Sequence, residues 1–189
     1  MTDPAALRDQ VLALAEQGVA NVNLRRHMLA TEAVMRALAI RLDADPVEWG
    51  LAGLAHDLDA EQTGDDFTRH GAVAAETLAT LGAPAAVVHA VAAHNPATGT
   101  AAEGPIDVAL IAADQVNGLV TAAALVRPDK SLAGVQVKSV RKRFRETAFA
   151  RGVDRDGILR CEDLGVELDE FLGLALAAMQ GIAADLGLE

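Results

Sequence analysis

Apolar residues recur along this chain at the spacing of amphipathic helices. Between Val22 and Leu42 they occupy positions 24, 28, 33, 35, 38 and 40, which is roughly one stripe along a helix. Runs of alternating apolar and polar residues that are long enough for strands are absent from the sequence. The pattern therefore predicts an all-α fold with about eight or more helices.

Prolines, glycines and capping residues indicate where these helices begin and end. Asp45 directly precedes Pro46, which is the order expected for an N-cap followed by the first helical residue. Asn95-Pro96 should end the preceding helix at His94, because the residue before a proline disfavours the α conformation. We predict helices over 4–16, 22–42, 45–56, 70–81, 84–94, 105–125, 137–151, 154–164 and 168–186, with a polar loop over 58–68.

Length and composition narrow the class of protein. The chain has 189 residues, 51% of them hydrophobic and only 3% aromatic, so we expect one domain made of closely packed helices. Residues 1–4 lack the features of a signal peptide, and no stretch of about 18 apolar residues is free of charge, so we expect no membrane span. The single Cys161 fits a reducing cytoplasm.

The charged residues are unevenly distributed. A net charge of −11 argues against general nucleic-acid binding through the phosphates. Seven of the 16 basic residues nevertheless lie between Arg127 and Arg145. This basic segment is either a solvated helix face or a binding surface for an anionic substrate.

The adjacent pair His56-Asp57 is the most informative feature for function. Four further residues that can bind metals accompany it: His27, His70, His94 and Asp114. Successive helical residues point about 100° apart, so both members of the pair can reach one ion only where the helix is ending. The six residues together predict a metal site.

The number and type of these donors suggest which ions they would bind. Imidazole and carboxylate suit divalent manganese, iron, cobalt, nickel or zinc. Six donors exceed what one tetrahedral zinc takes, so a six-coordinate ion or a centre of two ions is expected. In a centre of two ions Asp57 could bridge them and thereby take part in catalysis.

Each of these residues also has a purely structural interpretation. His27 and His70 could be solvated, and His94 could be a cation at a helix C-terminus. Asp114 lies in an apolar helix, where a carboxylate needs a partner. His89 is five residues before His94 and points about 140° away from it, so we interpret it as a surface or packing residue. Other catalytic chemistries lack support, since neither Ser131 nor Ser139 lies in a nucleophile motif.

The order of these residues resembles a known family. His27, then His56-Asp57, then Asp114 is similar to the H…HD…D pattern of the HD-domain superfamily of metal-dependent phosphohydrolases. The added His70 and His94 resemble the members that bind two metals. The resemblance covers residues 21–126 as a core, with 127–189 as C-terminal helices, and implies an all-α fold with the metal between helices. It does not imply a substrate.

Further segments resemble a compact group of predicted hydrolases in this superfamily: 26–32, 49–54, 123–130, 137–140 and 149–153. Two departures from the common pattern concern the residues after the pair. Leu58-Asp59 stands where many members have Ile-Gly, and Ala60 stands where many have a lysine. That lysine is also present in the mixed-valence di-iron oxygenases of this fold, so its absence weakens an oxygenase interpretation.

Three functions therefore remain open. The first is a metal-dependent phosphohydrolase that acts through metal-activated water on a small phosphorylated molecule, with a nucleotide as the favoured substrate. The second is the di-iron oxygenase, and the third is a non-enzymatic metal-binding or regulatory module. For the hydrolase we expect the substrate phosphate to be bound by cations of the basic segment: Lys130, Lys138 and Lys142.

Overall fold

The computed structural model describes residues 4–189, with side chains from residue 6. It is 68% helical, and the described residues include no strand, which confirms the predicted all-α fold. The α-helices are α1 (Pro4–Gly18), α2 (Val22–Arg41), α3 (Pro46–Ala55), α4 (Ala60–Thr63), α5 (Ala72–Thr80), α6 (Ala85–Ala93), α7 (Pro105–Leu125), α8 (Val137–Arg145), α9 (Arg155–Leu159), α10 (Leu168–Gly181) and α11 (Ala183–Leu186). Two 3₁₀ turns, Pro96–Thr98 and Arg160–Leu164, follow α6 and α9.

Helices α2, α3 and α7 form the centre of the molecule. Helix α2 packs against both α3 and α7, and α6 covers α3 and α7 from the other side. Every residue from Trp49 to Ala55 in α3 is buried, as are most residues of α7. Helices α1 and α10 complete the core through side chains such as Leu7, Val11, Phe171 and Leu172.

The capping residues define the helix starts that the sequence predicted. Asp45 Oδ1 accepts hydrogen bonds from Val47 N at 2.7 Å and Glu48 N at 3.3 Å, with Pro46 at the first helical position. Asn95 Oδ1 accepts from Ala97 N at 3.0 Å, so α6 ends at His94 and the chain turns. Two of the predicted ligands, His56 and His94, are the C-cap residues of α3 and α6.

The predicted helix over 137–151 is wrong in its second half, because α8 ends at Arg145. Arg155 donates hydrogen bonds to the carbonyl oxygens of Ala150 at 2.7 Å and Val153 at 2.8 Å, and also to that of Phe149. A guanidinium with several donors thereby takes carbonyl groups that a continuing helix would use for its own hydrogen bonds. The predicted loop over 58–68 contains the short helix α4, and the predicted helix over 168–186 is interrupted after Gly181.

Helix α7 is, by length and composition, apolar enough to cross a membrane. More than half of its most apolar stretch is buried inside the helical bundle. The helix also carries two carboxylates that face other helices: Asp107 contacts His89 on α6, and Asp114 contacts His27 on α2. A central core helix therefore accounts for this composition.

The close crossing of α2 and α3 depends on Gly53. A Cβ at this position would lie 2.8 Å from Glu32 N and 2.8 Å from Thr31 O in α2. We expect Gly53→Ala to lower the free energy of unfolding by about 1–3 kcal/mol, because the two backbones would have to move apart. Urea unfolding followed by circular dichroism measures this change.

Gly18→Ala is the matched control, since no atom lies within 4 Å of a Cβ at that position. It should leave stability unchanged or raise it by up to about 1 kcal/mol. Equal unfolding midpoints for the two variants would contradict the proposed role of Gly53.

Candidate metal centre

Five separate segments deliver the six predicted ligands to one place. His27 lies on α2, His56 and Asp57 follow the end of α3, and Asp114 lies on α7. His70 directly precedes the N-cap residue of α5, and His94 is the C-cap of α6. Helix α3 ends at Ala55, and His56 keeps helical backbone angles as its C-cap residue. In the turn that follows, His56 Nε2 lies 3.4 Å from Asp57 Oδ2, so both side chains reach the same space.

The first group of donors surrounds His27 Nε2. This atom lies 3.0 Å from Asp114 Oδ1, 3.3 Å from Asp57 Oδ2 and 3.1 Å from His56 Nε2. His56 Nε2 lies 3.4 Å from Asp57 Oδ2 and 3.7 Å from Asp114 Oδ1. The donor atoms of His27, His56 and Asp57 are close enough together to hold one ion, and Asp114 Oδ1 lies beside them.

The second group of donors uses the other oxygen of Asp57. Asp57 Oδ1 lies 3.3 Å from His70 Nε2 and 3.9 Å from His94 Nε2. The two imidazole nitrogens are 3.3 Å apart. This group could also hold an ion, and it shares Asp57 with the first.

The orientation of all four imidazoles fits a metal centre. Each Nδ1 has a hydrogen-bond acceptor: Asn117 Oδ1 for His27 at 2.9 Å, Gly53 O for His56 at 2.8 Å, Asp59 Oδ1 for His70 at 2.9 Å and Val91 O for His94 at 2.6 Å. Carbonyl and carboxylate oxygens only accept, so each Nδ1 donates its hydrogen outward and each Nε2 faces the cluster. Histidine ligands of metals are held in this way, because an acceptor on the far nitrogen fixes the ring and the tautomer.

Two of these acceptors, Asp59 and Asn117, are functional residues that the sequence reasoning missed. Asp59 Oδ2 also accepts from the backbone N–H groups of Gly71 and Ala74, at 2.8 and 2.9 Å, and so fixes the start of α5 behind His70. Asn117 Nδ2 donates to Thr31 Oγ1, which leaves its Oδ1 to accept from His27. The position of Asp59, two residues after Asp57, was the one available signal, whereas nothing in the sequence distinguished Asn117.

Charges within the cluster shift the pKa values of several of its side chains. Burial alone would lower the pKa of His56, but Asp57 and Asp114 raise it to about 9. Hydrogen bonds to Asp57 and Asp59 raise the pKa of His70 to about 10. Burial and the nearby His56 lower the pKa of His94 to about 4. Burial opposes the shift, but the histidines hold the pKa values of Asp57 and Asp114 below their usual range.

His89 takes no part in the cluster. Its Nδ1 lies 2.9 Å from Asp107 Oδ2, a buried carboxylate that also accepts from the backbone N–H groups of Glu103 and Gly104. His89 thus helps to hold the loop before α7, as a packing residue would.

The predicted substrate-binding lysines lie away from the two cavities that border the cluster. One cavity, of about 480 Å³, is lined by His94, Gln115 and Arg160, and another, of about 460 Å³, by Arg26 and His27. Lys138 and Lys142 line a third pocket on α8, and Lys130 is exposed beyond the end of α7, whose last residue lies about 17 Å along the axis from Asp114. The role of the three lysines remains a prediction.

Comparison with known proteins adds the family. The sequence model of the HD domain family matches residues 24–130. This match covers more than half of the chain and includes all six predicted ligands. The chain belongs to the HD domain family. Members of this family are typically metal-dependent phosphohydrolases. No curated protein and no solved structure gives a significant match.

Replacing Asp57 should have a larger effect on metal content than replacing any other residue, since its two oxygens serve both groups. We expect Asp57→Ala to lose its metal and to melt at a lower temperature, because bound metal stabilises the folded state. Asp59→Asn should retain metal in the His27 group and bind it about 10- to 100-fold more weakly in the His70 group. Elemental analysis and calorimetric titration with metal test both changes.

The control for these variants is His89→Ala, which should keep its full metal content. Full metal content in Asp57→Ala would contradict the assignment of the cluster. Equal loss from both groups in Asp59→Asn would contradict the local role of that carboxylate.

Metal binding should become stronger as the pH rises. His56 and His70 have raised pKa values, so both imidazoles carry an extra proton at neutral pH and must lose it to bind an ion. Between pH 6 and 8 the apparent association constant should rise by about 10- to 100-fold per pH unit, with about one to two protons released. Titration in buffers of different ionisation enthalpy counts these protons, and an affinity independent of pH would contradict the prediction.

Proposed function

We propose that this protein is a metal-dependent phosphohydrolase that releases phosphate from a small phosphorylated molecule, with a nucleotide as the first candidate. The observation that carries this proposal is the pair of donor groups that share the carboxylate of Asp57. Membership of the HD domain family supports the same class of reaction.

The donor set fits two divalent ions of the manganese-to-zinc series. His27, His56, Asp114 and one oxygen of Asp57 would hold one ion, and His70, His94 and the other oxygen of Asp57 would hold the second. Such ions activate water and neutralise the charge that develops on a phosphoryl group.

The side chains of the cluster support water as the nucleophile. The cluster contains only imidazoles and carboxylates, and the single cysteine, Cys161, is buried elsewhere in the fold. In the proposed reaction water adds to phosphorus, the bond from phosphorus to the ester oxygen breaks, and that oxygen takes up a proton. The chain's own contribution is to fix the donors in place, through the acceptors behind each imidazole.

The arrangement also bears on the oxygenase alternative, which would use the same six donors. Ala60, at the start of α4, offers no cation where the oxygenases of this fold have a lysine. Iron content, colour and oxygen consumption would distinguish that reaction from hydrolysis.

The experiment begins with protein purified without chelator and analysed for bound metals. A screen for phosphate release from nucleotides, sugar phosphates and aryl phosphates should then detect metal-dependent hydrolysis that is lost in Asp57→Ala. Consumption of oxygen without phosphate release would favour the oxygenase. Absence of both activities in fully loaded protein would favour a binding module.

Lys138→Ala tests the predicted role of the basic segment. If Lys138 binds the substrate phosphate, the variant should keep its metals but lower kcat/KM by about tenfold, mainly through KM. Kinetics identical to those of the unmodified protein would indicate a solvated helix face, which the exposure of Lys138 also fits.

A further inference from the structure

A groove runs between α2 and α7 from the edge of the metal cluster. On α2 it is lined by Asn23, Arg26, His27 and Ala30, which follow one another at helical spacing and form one stripe. On α7 it is lined by residues 117, 118, 121, 122 and 125, which continue the face of Asp114 towards the end of the helix. Its volume of about 460 Å³ lies within the range of small-molecule sites.

The groove lies next to the metal cluster and has residues in common with it. His27 lines the groove, while its Nε2 lies 3.0 Å from Asp114 Oδ1 in the cluster. Asn117, which holds His27 Nδ1, lines the groove as well. A molecule bound at the cluster could therefore extend into the groove.

The lining of the groove is mostly apolar. Ala30, Gly118, Ala122 and Leu125 form much of it, and the C-terminal turn 186–188 completes it. Among the residues that line the groove, Arg26 is the only lysine, arginine, aspartate or glutamate. The groove thus suits an uncharged group beside a single anionic one.

Arg26 differs from the other half-buried arginines because its guanidinium has no partner among the described residues. In the part of the chain that the structure describes, it is the one half-buried basic side chain without a hydrogen-bond or ion-pair partner. The other half-buried arginines bond to carboxylates or carbonyl groups: Arg8, Arg25, Arg36, Arg127, Arg141, Arg143, Arg155 and Arg160.

The guanidinium of Arg26 packs against Gly187, whose φ of +65° belongs to the left-handed region. A partly desolvated cation is costly unless an anion joins it. Since the described part of the protein supplies no such anion, a bound ligand is the natural source.

We infer that this groove is the substrate subsite, an inference that rests on the proposed hydrolase function. Arg26 binds the phosphate group, and the stripe of small and apolar residues binds the alcohol part of the ester. The substrate class is then a phosphate monoester of an uncharged alcohol that carries an apolar surface. Thr121, whose hydroxyl has no hydrogen-bond partner among the described residues, offers one polar contact to that group.

Calorimetric titration of the metal-loaded protein with inorganic phosphate and with phenyl phosphate tests both parts of the site. Arg26→Gln should weaken the binding of both probes by about 10- to 100-fold, and Arg26→Lys should restore part of the loss. Ala122→Phe fills the groove, so it should weaken phenyl phosphate by about tenfold or more and leave inorganic phosphate within about twofold.

Two further variants complete the design. Leu125→Asp, at a position that is 50% exposed, adds a negative charge at the far end of the groove and should repeat the effect of Ala122→Phe without disturbing the core. Arg151→Gln removes an exposed arginine that lines none of the described cavities, and it should leave the binding of both probes unchanged. Metal content and melting temperature are measured for every variant.

The outcomes separate this inference from the proposed function. If the protein hydrolyses phosphate esters but the Arg26, Ala122 and Leu125 variants bind both probes as the unmodified protein does, the groove is not the subsite and the hydrolase function stands. If no ester is hydrolysed but the probes bind in the Arg26-dependent way described, the subsite stands and the hydrolase function is wrong.

Discussion

The carboxylate of Asp57 is the interaction on which the rest of this structure depends. One oxygen faces His27 and His56, and the other faces His70 and His94, so a single side chain joins donors from α2, α3, α6 and the start of α5. Successive residues of a regular helix point about 100° apart, and in the turn after α3 the side chains of His56 and Asp57 meet in one cluster. The end of α3 at Ala55 therefore determines where the metal centre can form.

Each imidazole of the cluster needs a hydrogen-bond acceptor for its Nδ1, and both backbone and side-chain groups provide these acceptors. Gly53 and Val91 contribute carbonyl groups near the ends of their own helices, whereas Asp59 and Asn117 contribute side chains. Gly53 also allows α3 to approach the backbone of α2, so the same residue serves packing and the orientation of His56. The packing of the helices and the orientation of the metal donors therefore depend on the same residues. Metal binding should accordingly stabilise the fold.

The surroundings of the cluster bear on the choice of substrate. The two cavities that border the cluster each contain one arginine, Arg160 in one and Arg26 in the other. Arg160 is already bonded to Asp163, while Arg26 has no partner in the described structure. This difference in pairing makes the groove between α2 and α7 the better candidate of the two cavities for an anionic ester.

The sequence by itself determined the all-α fold, most helix boundaries and the family. Periodicity and caps depend on residues close together in the chain, and the order of the His and Asp residues can be read directly from the sequence. It also singled out the six donors, which the structure brings together. Only the tertiary structure decided how these donors divide into two groups, which acceptors orient them, and that Arg155 ends α8 early by taking carbonyl groups of the following loop. The grouping of the donors depends on contacts between residues far apart in the chain, such as His27 with Asn117. The bonds of Arg155 and of the Gly53 and Val91 carbonyl groups are local, but spacing along the sequence does not encode the direction of a side chain in space.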